Sequence, residues 1–125
     1  MELDQITEAI IAAAIEVHRE LGPGLLESSY QHCLRHELNL QNVPLRSELQ
    51  LPIKYKGIIL DCGYRVDLLV MESVVVEVKS VASLDRIHEA QLLTYLRLGG
   101  WKVGLLINFN VPLLKDGIKR RVLGL

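Results

Sequence analysis

A chain of 125 residues falls in the range of one domain around one core, and with 50% of its residues hydrophobic and 23% charged it can bury that core and is not disordered. Its 14 basic and 15 acidic residues give a formal net charge of -1, so no overall basic field advertises a nucleic-acid binder and such a function must rest on local motifs. The opening segment lacks a basic n-region and carries Asp4, Glu8 and Glu16 through its apolar stretch, so we expect neither a signal peptide nor a membrane span there, and a cytoplasmic protein.

From Leu3 to Leu21, the residues Ile6, Ile10, Ala13, Ala14, Val17 and Leu21 recur at three- and four-residue steps, the pattern of an amphipathic helix. Gly22-Pro23-Gly24 ends it, because glycine can close a helix in a left-handed conformation and the following proline cannot continue the hydrogen bonding. A second helix is predicted from about Leu25 to Leu40, with Leu26, Tyr30, Cys33, Leu34 and Leu38 at helical spacing and Tyr30 in the core. Beyond Pro44 the period changes to two, predicting a strand over Ser47 to Tyr55. Lys56-Gly57 is a turn into Ile58-Ile59-Leu60, and Gly63 marks a bend before a strand over Tyr64 to Val70.

A turn near Glu72-Ser73 makes a hairpin with Val74 to Lys79, whose valines suit a central strand covered on both faces. Ser83 or Asp85 caps a third helix that reaches about Leu98, Gly99-Gly100 ends it, and Trp101 to Ile107 forms another buried strand. The tail from Gly117 to Val122 fits an edge strand. The fold class is therefore α/β, a mixed central sheet flanked by helices. Cys33 and Cys62 lie far apart with no C-x-x-C pairing, so both are expected to be buried, reduced thiols.

On a strand, side chains two apart share a face, so Glu77 and Lys79 project with Val75 while Val74, Val76 and Val78 face the other way. With the hairpin turn centred near Glu72, Asp67 lies across from Glu77, their β-carbons about 4.5 to 5.5 Å apart. An isolated Glu-x-Lys is commonly a plain ion pair. Two carboxylates converging on a buried strand are less ordinary, because like charges opposite each other destabilise a sheet unless something compensates. Magnesium, a hard cation that binds through one or two carboxylates plus waters and phosphates, is the natural candidate, with manganese as substitute. Gln91 and Tyr95, four apart, share a face of the third helix, and His88 sits one turn earlier, able to approach the same cleft. His32 and His36 lack a third ligand and suit a solvated helix face. Lys115, Lys119, Arg120 and Arg121 can contact phosphates or equally form a charged edge that discourages strand pairing.

Asp67 followed by Glu77-Val78-Lys79 resembles the D-x(n)-(D/E)-x-K core of the PD-(D/E)-x-K nuclease superfamily, and Gly24-Leu25-Leu26-Glu27-Ser28-Ser29-Tyr30 is similar to the signature of its small bacterial G-x-x-E-x-x-Y branch. The resemblance covers nearly the whole chain; Val66 departs from it by standing where the superfamily carries a loosely kept proline. It implies a restriction-endonuclease-like core with catalytic Asp67, Glu77 and Lys79, and a metal held by Glu27, Asp67, Glu77 and the backbone carbonyl of Val78. Gln91 and Tyr95 match the Q-x-x-x-Y pattern of exonuclease-like members and are expected to bind substrate or support the site, with His88 beside them. The expected reaction is magnesium-dependent hydrolysis of nucleic acid, DNA in the first place. A non-catalytic module binding nucleic acid or protein, and a small-molecule hydrolase, remain alternatives. A chain this short offers little surface to grip a duplex, so a homodimer presenting two sites is expected.

Overall fold

The computed structural model describes residues 1–61 and 63–124. Helix α1, Leu3–Leu21, buries the stripe Ile6, Ile10, Ala13, Ala14 and Val17. It closes at Gly22, where φ 67° and ψ -175° define a conformation open essentially only to glycine. Helix α2, Glu27–Leu40, starts two residues later than its periodicity predicts, because Leu26 is extended and serves as the N-cap. Tyr30, Leu34 and Leu38 form its buried stripe. Cys33 is half-buried and free rather than fully buried. Cys62 lies outside the described residues. His32 and His36 are both exposed, as expected of a solvated face.

The single strand expected over Ser47 to Tyr55 is two strands, β1 over Leu45–Gln50 and β2 over Ile53–Tyr55. Pro52 has no N–H to give a ladder, so the chain leaves the sheet there after the Leu51 N–H donates to the Tyr64 carbonyl at 2.9 Å. The chain then folds back through Lys56-Gly57 into β3, Ile58–Leu60, and the β2–β3 pair forms a separate two-stranded sheet. Lys56 and Gly57 have φ 44° and 89°, both positive as a tight two-residue hairpin turn demands.

The hairpin β4, Arg65–Val70, and β5, Val74–Lys79, is followed by helix α3, Arg86–Gly99, and the strand β6, Val103–Asn108. Asp85, not Ser83, caps α3: its carboxylate accepts from the Ile87 N–H at 2.9 Å. A 3-10 turn over Leu114–Gly117, which the sequence pattern did not suggest, leads into the expected edge strand β7, Ile118–Val122. The central sheet runs in the order β1-β4-β5-β6-β7, with β5 and β6 parallel across the α3 crossover and the other neighbours antiparallel.

Helices α1 and α2 cover one face, packing on Leu68, Val70, Val74, Val76, Val78, Leu105 and Ile107. There Tyr30 stacks on Phe109 with ring centroids 4.5 Å apart and planes 7° from parallel, a contact worth roughly 0.5–1.5 kcal/mol beyond its buried area. Helix α3 covers the other face, with Leu92, Tyr95 and Leu96 on Leu69, Val75 and Leu106. It approaches closely because β6 offers Gly104 there: a β-carbon at that position would meet Leu92 Cδ1 at 2.7 Å. The helix that carries Gln91 and Tyr95 is thereby set close against the sheet. No helix of the described residues is long and apolar enough to cross a membrane.

Candidate active site

The β4–β5 ladder runs Val70↔Val74, Leu69↔Val75 and Leu68↔Val76, so the next facing pair in register is Asp67 and Glu77, as the turn position predicts. Regular pairing stops there, and side chains take over the backbone groups. The Asp67 N–H donates to Glu77 Oε2 at 2.9 Å, and the Val78 N–H donates to Asp67 Oδ2 at 2.8 Å. Each carboxylate thus reaches across the hairpin to satisfy an amide of the other strand.

The facing of side chains slips by one residue at the same level. Leu68 and Val70 pack toward α1 and α2, but Val66 packs with Leu69 on the α3 side. The neighbouring β1 slips likewise, from Leu45 on the first face to Leu49 and Leu51 on the second. Between them Glu48 has φ 52°, a left-handed conformation that costs a residue with a β-carbon roughly 1–2 kcal/mol. Ser47↔Leu68 and Leu49↔Val66 bracket Glu48 and Asp67, so this kink sets a further carboxylate beside the pair. Sequence reasoning missed Glu48, since nothing in Ser47-Glu48-Leu49 signals positive φ.

Glu77 is only 4% exposed. Burial pushes its carboxyl up to about 8, with the Asp67 charge adding to the shift, against the Asp67 N–H and Lys79, which lower it. Asp67 is also raised, by burial first, while the Val78 N–H and Lys79 act against the shift and Glu27 and Glu48 add to it. Two desolvated carboxylates therefore compete for one proton or one cation, with the Lys79 ammonium in electrostatic range of both.

Glu27 opens α2, directly after the α1–α2 loop, and that loop is held in place from both sides. The buried Tyr30 hydroxyl donates to the Gly22 carbonyl at 2.5 Å and accepts from the Leu25 N–H at 3.1 Å, fixing the loop. The loop then docks on the residue after Lys79: Ser80 Oγ donates to the Leu25 carbonyl at 2.6 Å, and the Ser80 N–H donates to Glu27 Oε2 at 3.2 Å. Asn108, 1% exposed at the end of β6, holds the next residue, accepting from the Val81 N–H and donating to its carbonyl, both at 3.0 Å. On α2, Gln31 donates to the Asp67 carbonyl at 3.4 Å. Asn108, Ser80 and Gln31 escaped the sequence reading because their roles depend on tertiary neighbours.

Gln91 and Tyr95 do share a face of α3, with Gln91 Nε2 donating to the Tyr95 hydroxyl at 2.9 Å. Burial raises the Tyr95 hydroxyl, and the charges of Glu77 and Asp67 raise it further; the ring packs in one cluster with Val66 and Val75, strand neighbours of the two carboxylates. His88 lines the same groove as Gln91 and Tyr95, but its Nδ1 accepts from the Asp85 N–H at 3.1 Å and completes the helix cap. Of the basic tail residues, Arg120 pairs with Asp4 at 3.1 Å and Arg121 with Glu89 on α3. Lys119 faces Leu106, itself the neighbour of Glu77, so it lies in the transverse row of the site two strands away. Lys115 follows Leu114 in the 3-10 turn, outside that row.

Among the described residues no three His, Cys, Asp or Glu side chains converge tightly enough to hold a metal by themselves. The donor set nonetheless fits a hard divalent cation that keeps several waters, because the hydrogen bonds engage one oxygen of each carboxylate and leave the other to a ligand. Val78 enters through its N–H in the structure. A sequence profile of the PD-(D/E)XK nuclease superfamily matches residues 4–121. The chain belongs to that superfamily, whose members generally use divalent metal ions. No curated protein and no solved structure matches it significantly.

Proposed function

We propose that residues 1–125 form one domain of the small G-x-x-E-x-x-Y type, a magnesium-dependent nuclease that hydrolyses phosphodiester bonds of nucleic acid, with DNA as the preferred polymer. The observation that carries this reading is the buried Glu77 carboxylate and the half-buried Asp67 carboxylate crossing the open end of the β4–β5 hairpin, with Lys79 two residues beyond Glu77 on the same strand. Asp67, Glu77 and Glu27, with the Val78 carbonyl, would hold the metal, and manganese would substitute. Bound there, the cation would supply Lewis acidity and would lower the pKa of a coordinated water toward neutrality. Lys79 places its ammonium where charge develops on the phosphoryl oxygens and orients the attacking water. Gln91 and Tyr95 position the strand, and Asn108 keeps the segment after Lys79 from drifting.

The near-neutral net charge favours the other reading, a module on the same fold that binds nucleic acid or protein without cutting. The deciding experiment offers single-stranded, double-stranded and branched DNA, and RNA, to the protein with magnesium or manganese, beside Asp67→Asn and Glu77→Gln. Cleavage by the wild type alone is expected, and cleavage of none of these polymers would move the assignment to the binding module. Manganese at 100 times its dissociation constant should stabilise the wild type by roughly 2.7 kcal/mol and the two variants less. We also propose a cytoplasmic homodimer; a clean monomer with full activity in sedimentation at micromolar concentration removes the dimer.

A further inference from the structure

A groove of about 330 Å³ runs along α3 between Tyr64 and the face that carries Gln91 and Tyr95. Its size lies at the low end of small-ligand sites, enough for one nucleotide and too small for a duplex. Its chemistry is that of a base seat. Tyr64, 43% exposed, offers a ring, Ile87 and Leu98 at 68% and 39% give apolar edges, and the Gln91 amide and Thr94 hydroxyl supply neutral donors and acceptors. No Asp, Glu, Lys or Arg lines it among the described residues, and the His88 ring there already accepts from the Asp85 N–H, so neither a cation nor a phosphate is its natural occupant. The groove between α1 and α2, of about 370 Å³, contrasts with it: Glu16, Glu20 and Glu37 line that one and would repel a nucleic-acid strand.

Tyr95 joins the groove to the site, since it lines the groove and packs in one cluster with Val66, the residue before Asp67, and Val75, which precedes Glu77 by two on its strand. A strand whose phosphodiester lies at the carboxylates therefore has a neighbouring base at the mouth of the groove. A base enters only if it is unstacked and unpaired, and the energetic cost is least where the strand is already single. We propose that this groove seats one unpaired nucleobase of the bound strand against Tyr64, so that single-stranded or frayed DNA is the preferred substrate. The proposal rests on the nuclease reading for its substrate, and binding tests it independently of cleavage.

The experiment titrates the full chain, in calcium to suppress chemistry, into a short single-stranded DNA carrying 2-aminopurine and into the same sequence as a blunt duplex. Stacking on Tyr64 should quench the single-strand emission. Tyr64→Ala should weaken single-strand binding about thirtyfold, the middle of the range for one base on one aromatic ring, and Tyr64→Phe should restore it. Duplex binding should change less. Ile87→Ala, at a position exposed enough to tolerate it, should weaken the single strand in the same sense. Unchanged single-strand affinity in Tyr64→Ala, an equal loss on the duplex, or no binding of either probe overturns the seat. A wild type that quenches the probe yet cuts nothing in magnesium defeats the nuclease reading and keeps the seat. Equal cutting of blunt duplex and single strand, unaffected by Tyr64→Ala, does the reverse.

Discussion

Toward its turn, the β4–β5 hairpin keeps a regular ladder in which Leu68, Leu69, Val70, Val74, Val75 and Val76 are all fully buried. Toward its open end, the same two strands give up that pairing, and Asp67 and Glu77 occupy the amides in its place. The turn end does what strands ordinarily do, removing apolar surface from water on both faces of the sheet. The open end buries charge instead, which opposes folding unless a proton or cation accompanies it. One hairpin therefore holds a stabilising half and the half that carries the proposed site, separated at a single register position. Substitutions in the first half should move stability, and those in the second should move chemistry or its pH dependence.

The largest effect should come from Lys79→Met. If the ammonium acts on charge that develops only in the transition state, single-turnover cleavage at saturating metal should fall by roughly a hundred- to a thousandfold. Metal affinity should stay near that of the wild type. Were Lys79 only the partner of Glu77, its removal would alter metal affinity and stability and leave turnover nearly intact, and near-normal cleavage by the folded variant would sink its catalytic role. At the other end Leu68→Ala, which empties a fully buried position, should cost about 2–5 kcal/mol in urea denaturation. A cost well under that range would show that the turn end is not the rigid half.

Metal-free stability should depend on pH in a direction set by the open end. The Glu77 carboxyl is raised from 4.5 to about 8, so between those values the folded protein holds a proton that the unfolded chain has released. Its contribution is fully present below pH 4.5 and is lost as pH rises toward about 8, at up to roughly 1.4 kcal/mol per pH unit. Asp67, raised as well, adds to the loss in the same direction. Urea midpoints with chelator should therefore decline from pH 5 to 8, Glu77→Gln should flatten the decline, and saturating magnesium should offset it. A wild-type profile that is flat in chelator would mean that the buried pair is already compensated within the chain.

The arrangement of the carboxylate half was partly legible in the sequence, and the limit has a physical cause. A period of two places Glu77 and Lys79 on the face of Val75, and the turn position sets Asp67 opposite Glu77; both follow from local geometry. The slip at Glu48 and Asp67 does not, because glutamate carries no preference for positive φ. Nor does the exchange of ladder bonds for carboxylate bonds, which needs both strands in place. Pro52 was the available sign that Ser47 to Tyr55 is not one strand. Leu25 and Ser80 meet across 55 positions of chain, so the docking of the loop before Glu27 appears only once both segments are in place.

The smallest effect belongs to the tip of the hairpin and tests whether the turn end is catalytically silent. Met71 and Glu72 have φ 55° and 54°, both left-handed without being glycine, and the Ser73 N–H closes the turn on the Val70 carbonyl at 3.0 Å. Glu72 is held there by a two-pronged pair with Arg46, at 2.6 and 2.8 Å, exposed on both sides. Glu72→Gly removes the left-handed penalty, of order 1 kcal/mol, and loses an exposed ion pair worth roughly 0–1 kcal/mol. The two changes oppose each other, so net stability in low salt should move by less than about 1 kcal/mol. Salt screens the pair but leaves backbone strain untouched. In concentrated salt the variant should therefore become the more stable protein, with cleavage unchanged in both conditions. A salt-independent difference would place the effect in the backbone alone, and altered cleavage would show that the two ends of the hairpin are coupled.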